Sequence, residues 1–123
     1  MLEVLVMMLI SQQPVMPAIE GYASYYTVAS SSHRTASGEI LDDNAYTCAA
    51  NFGEFGDKMM VVAENGRTVI CRITDRGPFA KGRVVDLSRA AMQQLDPGLG
   101  KGVIRVKVYA LGEHPTPHLR PAF

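Results

Sequence analysis

Apolar and polar residues alternate most clearly from Val103 to Ala110 (VIRVKVYA). Alternation over that length predicts a strand with one face buried. Two further runs, Lys58–Glu64 (KMMVVAE) and Arg67–Ile73 (RTVICRI), are rich in β-branched residues and flank Asn65-Gly66. Asn-Gly tolerates positive φ at both positions, so the two runs are predicted to form a tight hairpin. Shorter strands are predicted at Gly21–Tyr26 (GYASYY), Tyr46–Ala50 and Gly82–Asp86 (GRVVD). Ser88 is placed to cap a short helix over Arg89–Leu95, and Asp96-Pro97-Gly98 stops it. Thr27 to Asn44 is rich in Ser, Thr, Gly and Asp and reads as a long loop, a length that in compact domains is often functional. About six short strands with one or two short helices predict an all-β fold, a small barrel with a helix between strands.

The ends differ from this middle. Residues 1–19 carry an almost unbroken apolar stretch, Leu2–Ile10, then Pro14-Val15-Met16-Pro17-Ala18. This segment fits a signal-peptide core with cleavage near Ala18, or a segment that packs on the domain or on a protein partner. The barrel is expected over residues 20–112, and the tail 113–123, with three prolines, is expected to be extended.

Composition narrows the function. Hydrophobic residues make up 47% of the 123 residues, enough for a true core. Twelve basic and twelve acidic residues cancel, which argues against a nucleic-acid binder working through a strong global field. No apolar run reaches the roughly 18 residues of a membrane span, so no integral span is expected. Cys48 and Cys71 are the only cysteines. They fit two buried apolar residues, or one disulfide in an exported protein. No spacing suggests a metal site or an organic cofactor.

The candidate chemistry centres on Thr74-Asp75-Arg76-Gly77-Pro78-Phe79, where a strand delivers an aspartate and an arginine and then meets a Gly-Pro pair. Alone, that fragment reads as a turn. In combination it says more. GYASYY (21–26), TASGE with Asp42 three residues on (35–42), ITDRGPF (73–79), GRVVDLSRAA (82–91) and GVIRVKV (102–108) together resemble the rare lipoprotein A-like family of double-psi β-barrels, more distantly related to expansins. The resemblance spans roughly residues 20–112. It implies a six-stranded double-psi β-barrel that binds peptidoglycan or a related polysaccharide. Some members are lytic transglycosylases, expansin relatives loosen walls without hydrolysis, and some small secreted barrels of this fold inhibit proteases.

By resemblance, Asp75 is the central carboxylate, with Glu39 and Asp42 of the acidic loop as its catalytic companions. Ser37, Arg76, Arg83 and Asp86 are then expected to contact substrate. Asp86 also has a purely structural reading, beside the helix N-terminus, and both arginines have one as braces for carboxylates or turns. Tyr25 and Tyr26 alternate across a strand, so one should join the core and the other is free to stack on a sugar. Phe79 is expected to stack on a sugar or to plug the barrel end. One departure bears on catalysis. Catalytic members carry a histidine after a short Thr-Ala-Ala segment; here the run is Thr47-Cys48-Ala49-Ala50-Asn51, and that position falls on Ala50 or Asn51. The missing imidazole favours a barrel without turnover, while the resemblance as a whole implies a lytic transglycosylase in the periplasm, envelope or extracellular space. The alternatives are a non-catalytic wall-binding module, and a protease inhibitor or part of a wall-penetrating assembly such as a phage tail.

Overall fold

A computed structural model describes residues 18–112 of the chain. The expectations for a signal peptide, a packing segment and an extended tail lie outside those residues.

Six strands close into a barrel: β1 (Ile19–Tyr26), β2 (Thr47–Ala49), β3 (Lys58–Ala63), β4 (Thr68–Asp75), β5 (Arg83–Ser88) and β6 (Ile104–Gly112). Around the barrel the order is β1-β5-β2-β4-β3-β6, with β6 returning to β1. The pairs β1–β5 and β2–β4 are parallel and the other four antiparallel. This is the mixed six-stranded barrel expected for a double-psi fold. One short helix, α1 (Arg89–Leu95), follows β5, and a single 3-10 turn covers Val28–Ser30.

Alternation explains the interior. Met59, Val61 and Ala63 of β3, Val69, Cys71 and Ile73 of β4, and Val106 and Val108 of β6 all point inward and are buried. Ala23, Val85 and Leu87 complete the filling from β1 and β5. A hairpin forms at Asn65-Gly66, but with a three-residue loop rather than the two-residue turn expected: the Ala63 N–H donates to the Arg67 carbonyl at 2.9 Å, and only Gly66 takes positive φ, at 88°. Ser88 caps α1 by accepting from the Ala91 N–H at 3.2 Å, and Ala91, Met92 and Leu95 bury the helix's apolar stripe.

Two irregularities shape the surface. Ile73 pairs with Cys48, but Asp75 pairs with Ala49, so Thr74 is an extra residue on β4. A bulge of this kind breaks the alternation and re-aims the side chain that follows it. Ile73 and Thr74 are consequently both buried, and Asp75 turns out to the half-exposed side. The strand was expected to end at Ile73; the bulge carries it two residues further. On β5, Val84 is similarly inserted between Arg83 and Val85 opposite the Tyr22–Ala23 step. The strands approach closely there: a Cβ on Gly21 would lie 2.5 Å from a Val84 methyl and 2.9 Å from the Gly82 carbonyl oxygen, so only glycine fits.

Candidate functional site

Asp75 ends β4 with both carboxylate oxygens engaged. Its Oδ1 accepts from the backbone N–H groups of Ala36 and Arg76, each at 2.9 Å. Its Oδ2 accepts from the Tyr26 hydroxyl at 3.3 Å. The Ala36 donor comes from the polar loop between β1 and β2, which is also tied to β4 by Ser37 N–H to the Thr74 carbonyl at 3.0 Å. Every neighbour of this carboxylate is a donor, so it presents itself as an acceptor fixed in orientation.

Tyr26 lies at the end of β1, on the same strand face as Ser24. Burial, and then the negative charge of Asp75, push the Tyr26 phenol far above its ordinary range. Ser24 donates to Asp86 across the β1–β5 ladder, where the two residues are paired. Arg83 donates to the same Ser24 oxygen at 3.0 Å. One face thus carries Asp75, Tyr26, Asp86, Ser24 and Arg83 in succession. Asp86 bonds across the sheet, while the α1 N-terminus is capped by Ser88.

The loop carboxylates lie apart from Asp75. Glu39 accepts two hydrogen bonds from the Arg72 guanidinium, at 2.6 and 3.1 Å. That guanidinium holds the Glu39 carboxyl below its ordinary range. The pair fastens the Thr35–Glu39 turn to β4, and this turn supplies the Ala36 donor. Asp42 accepts from the Asn44 N–H at 2.9 Å, closing a turn on an exposed stretch. Ser37 Oγ lies 3.0 Å from Thr35 Oγ1 and accepts from the Glu39 N–H at 3.3 Å, so it braces the same turn.

Arg76 takes up a structural position. Its guanidinium donates to the carbonyls of Ala50 (3.0 Å), Phe52 (3.1 Å) and Gly53 (2.8 Å) and lies 4.5 Å from the Phe55 ring centroid. Asn51, one of the two residues on which the family's histidine position falls, uses its amide in both directions. It donates to the Pro78 carbonyl at 2.6 Å and accepts from the Gly77 N–H at 2.9 Å. Ala50 is fully buried. Among the described residues the only histidine is His33, exposed in the loop.

The aromatic residues divide as alternation requires. Tyr25 packs on the core, while Tyr26 reaches Asp75. Phe79 is 86% exposed just past the cis Gly77–Pro78 bond, so it does not plug the barrel. Sequence reasoning passed over Ser24, Asn51 and Phe55. Ser24 had a signal, its spacing of two from Tyr26; Asn51 and Phe55 are loop residues whose partners only the fold brings near.

Two surface concavities, of about 300 and 320 Å³, lie beside Arg105, Ala63 and Glu64, away from Asp75. No group of three or more metal-ligating side chains occurs among the described residues, and no helix there is long and apolar enough to cross a membrane.

Comparison with known proteins agrees with this architecture. The "probable endolytic peptidoglycan transglycosylase RlpA" of Treponema pallidum is 48% identical over 91 residues, covering 73% of this chain and 28% of that protein. The chain spans about a third or less of the curated relatives it matches best, 28% and 33% in two cases. Among solved structures, the Streptomyces papain inhibitor superposes with a TM-score of 0.63 at 24% identity, over 79% of this chain and 96% of the inhibitor. The apo expansin of Clavibacter michiganensis superposes with a TM-score of 0.60 at 18% identity, over 77% of this chain and 50% of the expansin. Both share the fold. The family model described as lytic transglycolase matches residues 18–108, nearly the whole barrel, and the chain belongs to that family of RlpA-like double-psi β-barrels.

Proposed function

We propose that this domain cleaves peptidoglycan glycan strands as a lytic transglycosylase, with Asp75 as the residue that moves the proton. The observation that carries this reading is the placement of Asp75: a bulge turns it outward, and three donors from β1, the polar loop and its own chain fix its orientation. Breaking a glycosidic bond needs a proton on the leaving oxygen and stabilisation of an oxocarbenium-like centre. In the lytic reaction no water enters. The sugar's own 6-hydroxyl attacks the anomeric carbon, an anhydro ring forms, and the leaving sugar departs with a proton. A single carboxylate can serve both ends: it takes the proton from the attacking 6-hydroxyl and passes it to the leaving oxygen. Glu39 and Asp42 contribute by holding the loop that supplies the Ala36 donor, and Glu39 comes within reach of substrate if the glycan displaces Arg72 from it. Asp86 and Arg83, held through Ser24, and exposed Phe79 line the path for neighbouring sugars. Such a reaction places the protein in the cell envelope.

A second reading has its own observation. The position of the histidine of catalytic relatives falls on Ala50 or Asn51 here, so the imidazole is missing, and the Asn51 amide is committed to the Gly77–Pro78 backbone. This favours a barrel that grips the wall without cutting it.

Digestion of peptide-stripped peptidoglycan, with soluble products read by mass spectrometry, separates the two. Anhydro-ended fragments that disappear with Asp75→Asn are expected. Intact glycan together with retention on insoluble wall would replace the enzyme reading by the binding one.

A further inference from the structure

We propose that Cys48 and Cys71 form an intrachain disulfide that staples β2 to β4 behind the Asp75 face. The two thiols meet inside the barrel with their sulfurs 2.7 Å apart, at 0% and 1% exposure. They come from neighbouring, hydrogen-bonded strands, and both point into the same interior layer. A disulfide needs about 2.05 Å between sulfurs, so a small side-chain adjustment closes the bond.

The position gives the bond something to hold. β2 is only three residues long, the shortest strand of the barrel. It leads directly into Ala50, Asn51, Phe52 and Gly53, whose groups bond to Arg76, Gly77 and Pro78 next to Asp75. A covalent link from β2 to β4 therefore ties that loop to the strand that carries Asp75. It also closes a chain segment between residues 23 apart in sequence, which restricts the unfolded chain.

The chemistry requires an oxidant, here a disulfide-bearing thiol oxidant such as oxidised glutathione or a protein disulfide oxidase. One cysteine thiolate attacks the oxidant's disulfide and forms a mixed disulfide, releasing the first oxidant thiol. The second cysteine thiolate then attacks the protein sulfur of that mixed disulfide and releases the second. Two protein thiols lose two electrons and two protons, and one oxidant disulfide becomes two thiols. Burial and the contact with Cys71 push the Cys48 thiol well up in the folded barrel, so the folded, reduced pair is a poor nucleophile. The bond accordingly forms while the chain folds. Once buried, it is shielded from reductants.

The test refolds the denatured, reduced full chain in a mixture of oxidised and reduced glutathione. Remaining thiols are then alkylated in denaturant, and the intact mass is measured. A monomeric chain lighter by two hydrogens and carrying no alkyl group is expected, with a peptide map that joins the segments around Cys48 and Cys71. Its melting temperature should exceed that of the reduced chain by about 10 °C. The double variant Cys48→Ala/Cys71→Ala should melt at the same temperature with and without reductant. Two alkyl groups, or glutathione adducts, on a chain that has regained its circular dichroism spectrum would overturn the proposal. A bonded chain with an unchanged melting temperature would overturn the staple. None of these outcomes depends on glycan cleavage.

Discussion

The Tyr26 hydroxyl and Asp75 Oδ2 lie 3.3 Å apart, joining β1 to the end of β4, two strands that are not neighbours in the barrel. The bond holds Oδ2, while the Ala36 and Arg76 N–H groups hold Oδ1. It also gives Tyr26 a measurable signature. The phenol's ordinary value is 10.0, and burial and Asp75 raise it well beyond that in the folded state. Above pH 10 the unfolded chain therefore releases this proton while the folded chain keeps it. The unfolded state then binds fewer protons, and stability falls as pH rises. The contribution is fully present below pH 10 and is lost progressively above it. Chemical denaturation of the wild type and Tyr26→Phe between pH 8 and about 11.5 should show the wild type losing its advantage over the variant in the alkaline range. A pH-independent difference would show that Tyr26 does not titrate as the geometry requires.

Arg76 is expected to matter for stability more than for glycan contact. Three backbone carbonyls and the Phe55 ring share its guanidinium. Lysine cannot reproduce that fork. Arg76→Lys should therefore cost about 1.5 to 3 kcal/mol, the scale of hydrogen bonds to a charged group. Urea denaturation measures the loss, and limited proteolysis should show new cleavage between Ala50 and Gly56. A variant with wild-type stability and weaker glycan binding would return Arg76 to a substrate role.

Glu39 separates a structural effect from a chemical one. Its pair with Arg72 is well formed but exposed, with side chains 48% and 39% accessible. Exposed pairs contribute less than about 1 kcal/mol. Arg72 lowers the Glu39 carboxyl, so this small stabilisation is present above the ordinary glutamate value and is lost as pH falls through the lowered one. Glu39→Gln should thus leave neutral-pH stability within about 1 kcal/mol of wild type. If Glu39 also reaches the substrate, the same variant should lose at least about tenfold in anhydro-product formation, or ~1.4 kcal/mol of barrier. Full activity would confine Glu39 to holding the loop.

Most of the barrel was legible because alternation is a local property. Met59, Val61, Ala63, Val106 and Val108 announce their buried faces without any knowledge of their partners. The Asn65-Gly66 turn and the Ser88 cap are equally local. The bulge at Thr74 was not legible. It depends on which residue of β2 pairs with which residue of β4, and those strands are parallel and far apart in sequence. Its cost is visible only in three dimensions: the Thr74 hydroxyl is buried without a hydrogen-bond partner among the described residues. The candidacy of Asp75 came from the resemblance of several short segments together, since D-R-G-P alone reads as a turn. The commitments of Asn51 and Arg76 were hidden for the same reason as the bulge, because their partners lie 23 to 27 residues away.

Phe79 offers the cleanest separation of binding from folding. A phenylalanine that is 86% exposed gives the barrel almost no burial. It follows Gly77 and Pro78, whose backbone is held by Asn51, so its position is anchored although its ring is free. An exposed aromatic face four residues after Asp75 suits the apolar face of a pyranose ring. Phe79→Ala should leave the melting temperature within about 2 °C of wild type, as expected of a surface change worth under ~0.5 kcal/mol. Binding to peptide-stripped glycan should weaken by about tenfold, equivalent to ~1.4 kcal/mol. Sedimentation with insoluble peptidoglycan measures the binding, and Phe79→Trp should restore it by supplying a larger face. Unchanged binding in both variants would move the sugar path away from the Gly77–Phe79 turn and toward the Ser24, Arg83 and Asp86 side of Asp75.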